Sequence, residues 1–501
     1  MQGGRKNVRM DFERASGVFC HLTSLPGRHG IGDLGDGTRD FLAFLERADQ
    51  SVWQFCPVGP TSGAHGHSPY SSPSTFAGNP LLVDLDALRE RGWLTAAETE
   101  PPAGSDRSSV AYDVVAPYKR DRLRHAFERF DASGSPGFDA FREREGDWLA
   151  DYALFAALKD EHDGAPWTSW PAGVRERDPE ALARARDDLA EAVRYHAFVQ
   201  WRFDEQWRAL RAAADDRGVT LVGDVPMYPA LDSADVWANP EAFAVADGRP
   251  TAVAGVPPNP GDDGQRWGMP VYDWDALADD DYGWWRARLR RLLERVDVAR
   301  LDHFKAFESY WAIPGDADDP AAGDWRTGPG ADFFETVRDE IGGLPFIVED
   351  LGFLDAPLEA LRERFDFPGM RVAQYADWCA DHHRHKPHDY PRDCVAYTST
   401  HDTDTIVGYY DGLDDTQRAC LEYALGVSGD GVAWDVIDGV WESDAVLAVT
   451  TVPDLLGAGS DARLNTPGTT AGNWRWRFDP AALDDALAER LRAATAATGR
   501  A

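Results

Sequence analysis

The sequence predicts a (β/α)8 barrel of the α/β class, because eight short apolar runs alternate with segments of helical periodicity. Each run ends in polar residues, and eight parallel strands are the number that closes such a barrel. The predicted strands are Gly17–Leu22, Ser51–Val58, Val219–Val225, Val296–Asp302, Leu344–Asp350, Gly369–Gln374, Cys394–His401 and Val446–Val452. Predicted helices between them include Asp40–Ala48, Ala192–Arg217, Tyr282–Arg295 and Asp332–Ile341. We expect residues 1–501 to form one catalytic barrel.

Two long excursions interrupt the spacing of the predicted strands. About 160 residues separate the second and third runs, and helices are predicted there at Asp84–Arg91, Tyr118–Phe130 and Asp147–Glu161. We expect residues 86–195 to be a helical insertion, since the flanking strands need each other to close the sheet. Residues 230–275 are rich in Pro, Gly and Trp, and we expect them to form an ordered loop over the site.

The charge is strongly negative, with 51 Lys+Arg against 86 Asp+Glu and a net charge of −35. A polyanion repels phosphate backbones and anionic membrane surfaces, which argues against nucleic acid and membranes as partners. Only five basic residues are lysines, and Asp outnumbers Glu. Two interpretations remain: an acidic surface for a cationic partner, or adaptation to a cytosol at molar salt. The acidic residues are spread along the whole chain, which favours the second interpretation, adaptation to the salt-rich cytosol of a halophile.

The remaining composition indicates a cytoplasmic protein. The sequence has no run of about 18 apolar residues, and Met1–Phe12 lacks the apolar segment of a signal peptide. The cysteines are odd in number and contain no Cys-x-x-Cys, which suits a reducing compartment and argues against a disulfide framework or a zinc–thiolate site. They are Cys20, Cys56, Cys379, Cys394 and Cys420.

Two motifs could indicate a cofactor or a metal, but the residues around them do not support this interpretation. The G-x-G-x-x-G pattern at Gly30–Gly35 begins seven residues after its strand, and the second strand is followed by no acidic residue that could bind a ribose. The His-rich segment Asp381–Asp389 contains a proline and lies between strands, as a solvated loop would. We therefore expect no cofactor and no metal.

Three acids stand at the ends of predicted strands and point to glycoside chemistry. Asp302 ends the fourth run on the same face as Arg300, Glu349 ends the fifth, and His401 and Asp402 follow the seventh. A single such acid is more often a helix N-cap. Three carboxylates at one barrel mouth raise the pKa of at least one of them. Retaining glycosidases need this combination of one ionised carboxylate and one protonated acid.

Aromatic residues in or beside the predicted loops could stack on sugar rings, and core packing is the alternative for each of them. Core packing is expected first for Trp53 and Trp311. The set is Trp53, Tyr70, Trp237, Trp267, Tyr272, Trp274, Trp311 and Trp325.

Ordered motifs over nearly the whole chain resemble the 4-α-glucanotransferase family, also called amylomaltase or disproportionating enzyme. They are Thr23–Pro26, Gly30–Gly35, Ser68–Tyr70, Phe76–Pro80, Gly223–Pro226, Asp232–Trp237, Gly255–Pro258, Gly264–Gly268, Arg300–Phe304, Glu349–Gly352, Phe367–Met370, Thr400–Asp402, Asn465–Thr469 and Asn473–Arg477. The resemblance implies a barrel without a separate C-terminal β-domain.

The resemblance also implies roles. Asp302 would be the nucleophile, Glu349 the general acid/base and Asp402 the stabiliser of the transition state. The implied substrate-binding residues are Tyr70, Asp224, Trp267, Arg300, His303 and His401. The enzyme would transfer segments of α-1,4-glucans and maltooligosaccharides through a covalent glycosyl-enzyme, and the stretch Gly255–Trp267 would cover the site.

Two alternatives stay open beside this interpretation. An α-amylase-type hydrolase would share the three acids, whereas a catalytically silent glucan-binding protein would lack them.

The sequence departs from the family at Ser71, Asn259-Pro260, Met269 and Thr403, and none of these is one of the three acids. We expect a monomer or a small homo-oligomer.

Overall fold

Eight parallel strands close into a barrel, as the sequence predicts. The computed structural model describes residues 14–130, 135–260 and 262–501. The barrel strands are β1 (Ala15–Phe19), β2 (Val52–Gln54), β3 (Thr220–Val225), β4 (Val298–Leu301), β5 (Phe346–Val348), β6 (Gly369–Val372), β7 (Cys394–Tyr397) and β8 (Leu447–Thr451). Each strand pairs in parallel with the next, and β8 pairs with β1, so no barrel strand is left with a free edge.

Helices cover the outside of the barrel and fill the long gap between β2 and β3. They are α1 (Asp36–Arg47), α2 (Leu85–Glu90), α3 (Tyr112–Arg129), α4 (Pro136–Arg144), α5 (Gly146–Glu161), α6 (Ala172–Arg175), α7 (Pro179–Asp188), α8 (Ala190–Asp215), α9 (Ala234–Ala238), α10 (Trp274–Asp279), α11 (Gly283–Leu293), α12 (Lys305–Glu308), α13 (Gly330–Ile341), α14 (Ala356–Arg364), α15 (Ile406–Gly412), α16 (Asp415–Leu425), α17 (Val432–Glu442), α18 (Val452–Leu455) and α19 (Asp485–Ala497). The 26-residue α8 returns the chain from the gap to β3.

The barrel strands are buried on both faces, which explains their nearly continuous apolar sequences. Val52, Val222 and Val395 point into one cluster inside the barrel. Trp53 points outward, where its ring packs against Phe41 of α1 with the ring centroids 4.9 Å apart. The alternation of the strand therefore places one residue in the barrel and its neighbour under a helix.

The excursion at residues 230–275, for which we expect an ordered loop over the site, contains regular strands beside its loop segments. Strands Ala252–Val256 and Gln265–Pro270 form a hairpin within a four-stranded antiparallel sheet, which Ser309–Pro314 and Asp324–Thr327 complete. Ala252–Val256 pairs directly with Ser309–Pro314, a segment that lies beyond β4. Local periodicity could not reveal this pairing, because its partner lies more than 50 residues away in the sequence.

The G-x-G-x-x-G motif forms a tight structural turn. A Cβ on Gly32 would lie 1.9 Å from the carbonyl oxygen of Leu22, so only glycine fits there. Beside it, the carboxylate of Asp33 accepts a hydrogen bond of 2.7 Å from the ammonium of Lys119, which is completely buried. Although burial opposes it, the charge of Lys119 lowers the pKa of Asp33. The motif thus joins the first barrel loop to the helices of the gap.

One disulfide bond corrects the expectation drawn from the cysteine count. Cys379, in the loop after β6, is bonded to Cys420 of α16, with a Cα–Cα distance of 5.0 Å. The other cysteines, Cys20, Cys56 and Cys394, are buried and free. An odd count excludes complete pairing but not a single bond between positions 41 residues apart.

None of the helices in the described part of the chain combines the length and apolar character that a bilayer crossing requires.

Replacing Lys119 by Met should lower the free energy of unfolding by roughly 3–5 kcal/mol, because it leaves Asp33 buried without its partner. Urea unfolding followed by fluorescence measures the change. Arg184→Met is the matched control, since the ion pair of Arg184 with Glu180 is exposed and should contribute less than about 1 kcal/mol. Equal losses in the two variants would contradict the prediction.

Candidate active site

A cavity of about 590 Å³ opens at the carboxyl-terminal end of the barrel strands, where barrel enzymes place their chemistry. Its wall includes the three strand-end acids, Asp302 after β4, Glu349 after β5 and Asp402 after β7. The other predicted site residues on the wall are Tyr70, Trp267, Arg300, His303 and His401. Asp224 lies behind the wall, 4% exposed on β3.

Arg300 holds two carboxylates beneath the cavity. Its Nη1 atom donates a 2.7 Å hydrogen bond to Asp224 and a 2.9 Å bond to Asp302. The hydroxyl of Tyr70 donates to Asp224 from the other side at 2.8 Å. Although burial opposes it, the charges of Asp224 and Asp302 raise the pKa of Arg300. The guanidinium therefore places a permanent positive charge against the carboxylate of Asp302.

Glu349 is held in a different environment. Burial, together with the negative charge of Asp302, raises its pKa to about 7. The carboxyl group accepts hydrogen bonds from the backbone N–H of Leu351 at 2.7 Å and of His303 at 3.0 Å. His303 has a left-handed φ of 50°, which turns its amide towards Glu349. The site therefore fixes an acid that carries a proton for much of the neutral pH range.

Asp402 is kept ionised by His401 and Asn465. The imidazole of His401 lies 3.3 Å from one carboxylate oxygen, and the side-chain amide of Asn465 donates to the other at 2.7 Å. Although burial opposes it, His401 lowers the pKa of Asp402, and Asp402 in turn raises the pKa of His401. The ring of His401 also stacks on Tyr70 with the centroids 4.9 Å apart.

His303 and Trp267 form the opposite side of the cavity. The two rings meet edge to face with their centroids 4.8 Å apart. Burial lowers the pKa of His303 to about 4, so its imidazole is neutral at neutral pH. A neutral imidazole can donate one hydrogen bond and accept one, which suits a ligand rich in hydroxyl groups.

Four of the aromatic residues considered as sugar platforms belong to the core, which confirms the expectation for Trp53 and selects the core alternative for Trp237, Tyr272 and Trp274. Trp53, Trp237, Tyr272 and Trp274 are between 0% and 8% exposed. The indole of Trp53 donates to the carbonyl of Cys20, and that of Trp237 donates to a carbonyl of α6. Proximity to a loop in the sequence did not distinguish these rings from Tyr70 and Trp267, which line the cavity.

Several residues of the cavity wall received no role from the sequence, among them Tyr375 and Asn465. Tyr375 follows β6 and is 45% exposed. Asn465, the partner of Asp402, lies in the motif Asn465–Thr469. Of the departures from the family, Ser71 and Met269 line the cavity, and the hydroxyl of Thr403 accepts a bond from the amide of Thr400 within the Asp402 turn.

The His-rich segment is less solvated than predicted. His385 is 6% exposed, and its Nδ1 accepts a hydrogen bond from the amide of Val372 on β6. His382, His388 and Asp389 lie together at the surface with potential ligand atoms within 4.8 Å of one another, and the ring of His382 bonds directly to Asp389. The segment thus packs one of its histidines against the barrel.

A family profile, two related sequences and one solved structure agree on what this chain is similar to. The profile of glycoside hydrolase family 77, described as 4-alpha-glucanotransferase, matches residues 20–483. The 4-alpha-glucanotransferase of Thermus thermophilus is 44% identical over 505 residues, covering 98% of this chain and 100% of the relative. The Synechocystis protein of the same name is 42% identical over 500 residues, covering 97% and 98%. The amylomaltase from Streptococcus agalactiae in complex with acarbose matches with a TM-score of 0.94 at 35% identity, covering 97% and 100%.

Opposite pH dependences of stability should follow from Glu349 and Asp402. The raised pKa of Glu349 means that its stabilising protonated form is lost as the pH rises through about 7. The melting temperature of Glu349→Gln, relative to the wild type, should therefore increase between pH 5 and pH 9.

The lowered pKa of Asp402 means that its stabilising ionised form is lost on acidification. The deficit of Asp402→Asn should accordingly shrink as the pH falls from 7 towards 3. Thermal melts across this range test both slopes, and parallel slopes would contradict the assignment.

Proposed function

The chain belongs to the 4-alpha-glucanotransferase family, and we propose that its barrel mouth transfers α-1,4-glucan segments by a retaining double displacement. One observation carries this mechanism: two acids at the mouth of one barrel have opposite environments. Asp302 accepts a hydrogen bond from the guanidinium of Arg300, whereas burial keeps Glu349 protonated up to about pH 7. Retaining glycoside chemistry assigns these two states to the nucleophile and the acid.

In the first step, a carboxylate oxygen of Asp302 attacks the anomeric carbon of the donor glucan. The bond from that carbon to the glycosidic oxygen breaks, and the proton of Glu349 passes to this oxygen, so that the leaving chain departs as an alcohol. The donor sugar is then bound covalently to Asp302, and Glu349 is a carboxylate. Its two backbone donors, Leu351 and His303, stabilise that charge.

In the second step, the 4-hydroxyl of glucose or of another glucan takes the place of the departed chain. Glu349 accepts the hydroxyl proton, the oxygen attacks the anomeric carbon, and the bond to Asp302 breaks. The bonds broken and formed are of the same kind, and the reaction consumes no oxidant or reductant. The enzyme returns to its starting protonation state with a new α-1,4 link.

Asp402 and its partners act on the donor sugar while positive charge develops at the anomeric carbon. The carboxylate can accept hydrogen bonds from ring hydroxyls, and bonds of this kind strengthen in the transition state. Asn465 and His401 orient the carboxylate of Asp402, and the ring of Tyr70 stacks on the imidazole of His401. Asp224 acts from behind through Arg300 and Tyr70.

Transfer, rather than hydrolysis by an α-amylase-type enzyme, requires that a sugar and not water reaches the glycosyl-enzyme. Trp267, Tyr375 and the loop containing Pro467 and Thr470 narrow the cavity on several sides and offer ring faces and hydroxyls to an acceptor. We propose that residues 230–275, whose hairpin carries Trp267, serve as this cover, and that residues 86–195 are an insertion that supports the barrel from outside.

We further propose that the enzyme works in a cytoplasm at molar salt, as a monomer or a small homo-oligomer. A neutral glucan gives no reason for a net charge of −35. Among the described residues no lysine is exposed: Lys119, Lys305 and Lys386 are at most 7% exposed, and Lys159 is partly buried. Carboxylates therefore dominate the surface, which suits a solvent that screens charge within about 3 Å.

The transfer reaction is tested with maltotriose as the only substrate. The wild-type enzyme should release glucose and form a ladder of longer maltodextrins with no net gain of reducing ends. Asp302→Asn should lower the rate by roughly 10³-fold or more, because the nucleophile is lost. Asp279→Asn, an exposed acid on α10, is the matched control and should keep full activity. A steady gain of reducing ends would establish hydrolysis instead, and near-normal turnover of Asp302→Asn would reject its role.

The salt proposal predicts that the melting temperature rises when KCl increases from 0.1 M to 3 M. Over this range the screening length falls from about 10 Å to below about 3 Å, which removes the mutual repulsion of the surface carboxylates. Sucrose at equal osmolarity is the control for general solvent exclusion. A melting temperature that is unchanged or falls with KCl would contradict the proposal.

A further inference from the structure

A small aromatic surface lies outside the cavity. The exposed large apolar side chains among the described residues are Trp325, Phe353, Leu354, Tyr375 and Tyr423. Trp325, at 42% exposure, is in contact with Phe353, at 40%, and their ring centroids are 5.9 Å apart. We call Trp325, Phe353 and the adjoining Leu354 the outer platform. Exposed apolar side chains that adjoin one another mark candidate binding surfaces.

Trp325 of the outer platform is held in a sheet and packs against a second tryptophan. Trp325 lies on the strand Asp324–Thr327, directly opposite Trp311 on the neighbouring strand, and the two rings meet with centroids 5.5 Å apart. The indole of Trp311 is fixed by a 2.8 Å hydrogen bond to the carbonyl of Pro320. A Cβ on Gly323 would lie 2.3 Å from this indole nitrogen, so glycine allows the turn to close against the ring.

The outer platform adjoins the wall that carries the proposed acid/base. Phe353 is four residues beyond Glu349, so their Cα atoms are at most about 15 Å apart. Leu351, between them, lines the cavity. On the other side, Lys305 follows His303 by two residues, and its ammonium lies 5.4 Å from the centre of the Trp325 ring. The surface therefore continues outward from Glu349, whereas Tyr70 and Asp402 lie on other sides of the cavity.

The size and chemistry of the outer platform fit a sugar chain better than a protein. With about two-fifths of each side chain exposed, the two aromatic residues offer roughly 120–200 Å², which is less than the ~800 Å² per partner of a stable protein interface. Flat rings can pack on the apolar faces of glucose without any charge on the ligand. The charged rim, formed by Asp324, Arg326 and Asp355, supplies donors and acceptors for sugar hydroxyls.

We propose that Trp325 and Phe353 bind the far part of a long α-glucan whose nearer part occupies the catalytic cavity, on the side of the leaving group and acceptor. The assignment to that side rests on the proposed function, in which Glu349 acts on the oxygen that joins donor and acceptor. Anchoring a chain at two points raises the effective concentration of its reacting end. The outer platform thus selects long glucans over short ones and leaves the chemical steps unchanged.

Trp325→Ala and Phe353→Ala test the proposal in transfer assays with amylose and with maltotriose. The KM for amylose should rise about tenfold while kcat stays constant, and the kinetics with maltotriose, whose three sugars extend less far beyond the cleaved bond, should change less than about twofold. Trp325→Phe should restore most of the affinity for amylose. Tyr423→Ala removes an aromatic ring that is 90% exposed on α16 and is the matched control. Thermal melts check that the variants remain folded.

A second measurement separates this proposal from the assignment of the reaction. Retardation of the protein in gels that contain amylose reports binding without catalysis. The retardation should weaken in Trp325→Ala and Phe353→Ala but not in Tyr423→Ala. Unchanged retardation, or an equal loss of activity on maltotriose and amylose, would overturn the outer platform. If the wild-type enzyme only hydrolyses maltotriose, the proposed transfer reaction is wrong. The gel retardation would then still test whether the outer platform binds amylose.

Discussion

The buried guanidinium of Arg300 is the interaction on which the rest of the site depends. It stands directly opposite Asp224 in the register of β3 and β4, so the pairing of two barrel strands places this cation between two acids. A shift of one residue would turn Arg300 out of the barrel and leave Asp224 buried without a countercharge. One buried cation thus contacts both acids and, through Asp224, the hydroxyl of Tyr70.

The same centre explains how one cavity contains acids in different states. Arg300 neutralises the charge of Asp302, and His401 with Asn465 neutralises that of Asp402. Glu349 accepts hydrogen bonds from two backbone amides, and burial together with the charge of Asp302 raises its pKa. Three chemically similar side chains are thus differentiated by their neighbours.

Local sequence patterns predicted the barrel and the acids at its mouth, because buried parallel strands are continuous apolar runs and parallel strands end at the same side. They failed where structure depends on distant partners. The sheet that joins Ala252–Val256 to Ser309–Pro314 and the bond between Cys379 and Cys420 both connect separate parts of the chain. The burial of Trp237 and Tyr272 could not be predicted from the sequence either, because a ring beside a loop and a ring in the core have similar local sequences.

The burial of the lysines determines how this protein can be handled chemically. Amine-reactive reagents attack exposed ammonium groups, yet within the described residues the lysines are buried or partly buried and hold carboxylates or carbonyls, as Lys119 does with Asp33 and Lys159 with Asp232. Aldehyde cross-linking or attachment through amines would therefore find few targets or would break structural ion pairs. Activation of the abundant surface carboxylates would instead attach the protein to a support with the folded barrel intact, although Asp302, Glu349 and Asp402 would need a bound ligand for protection.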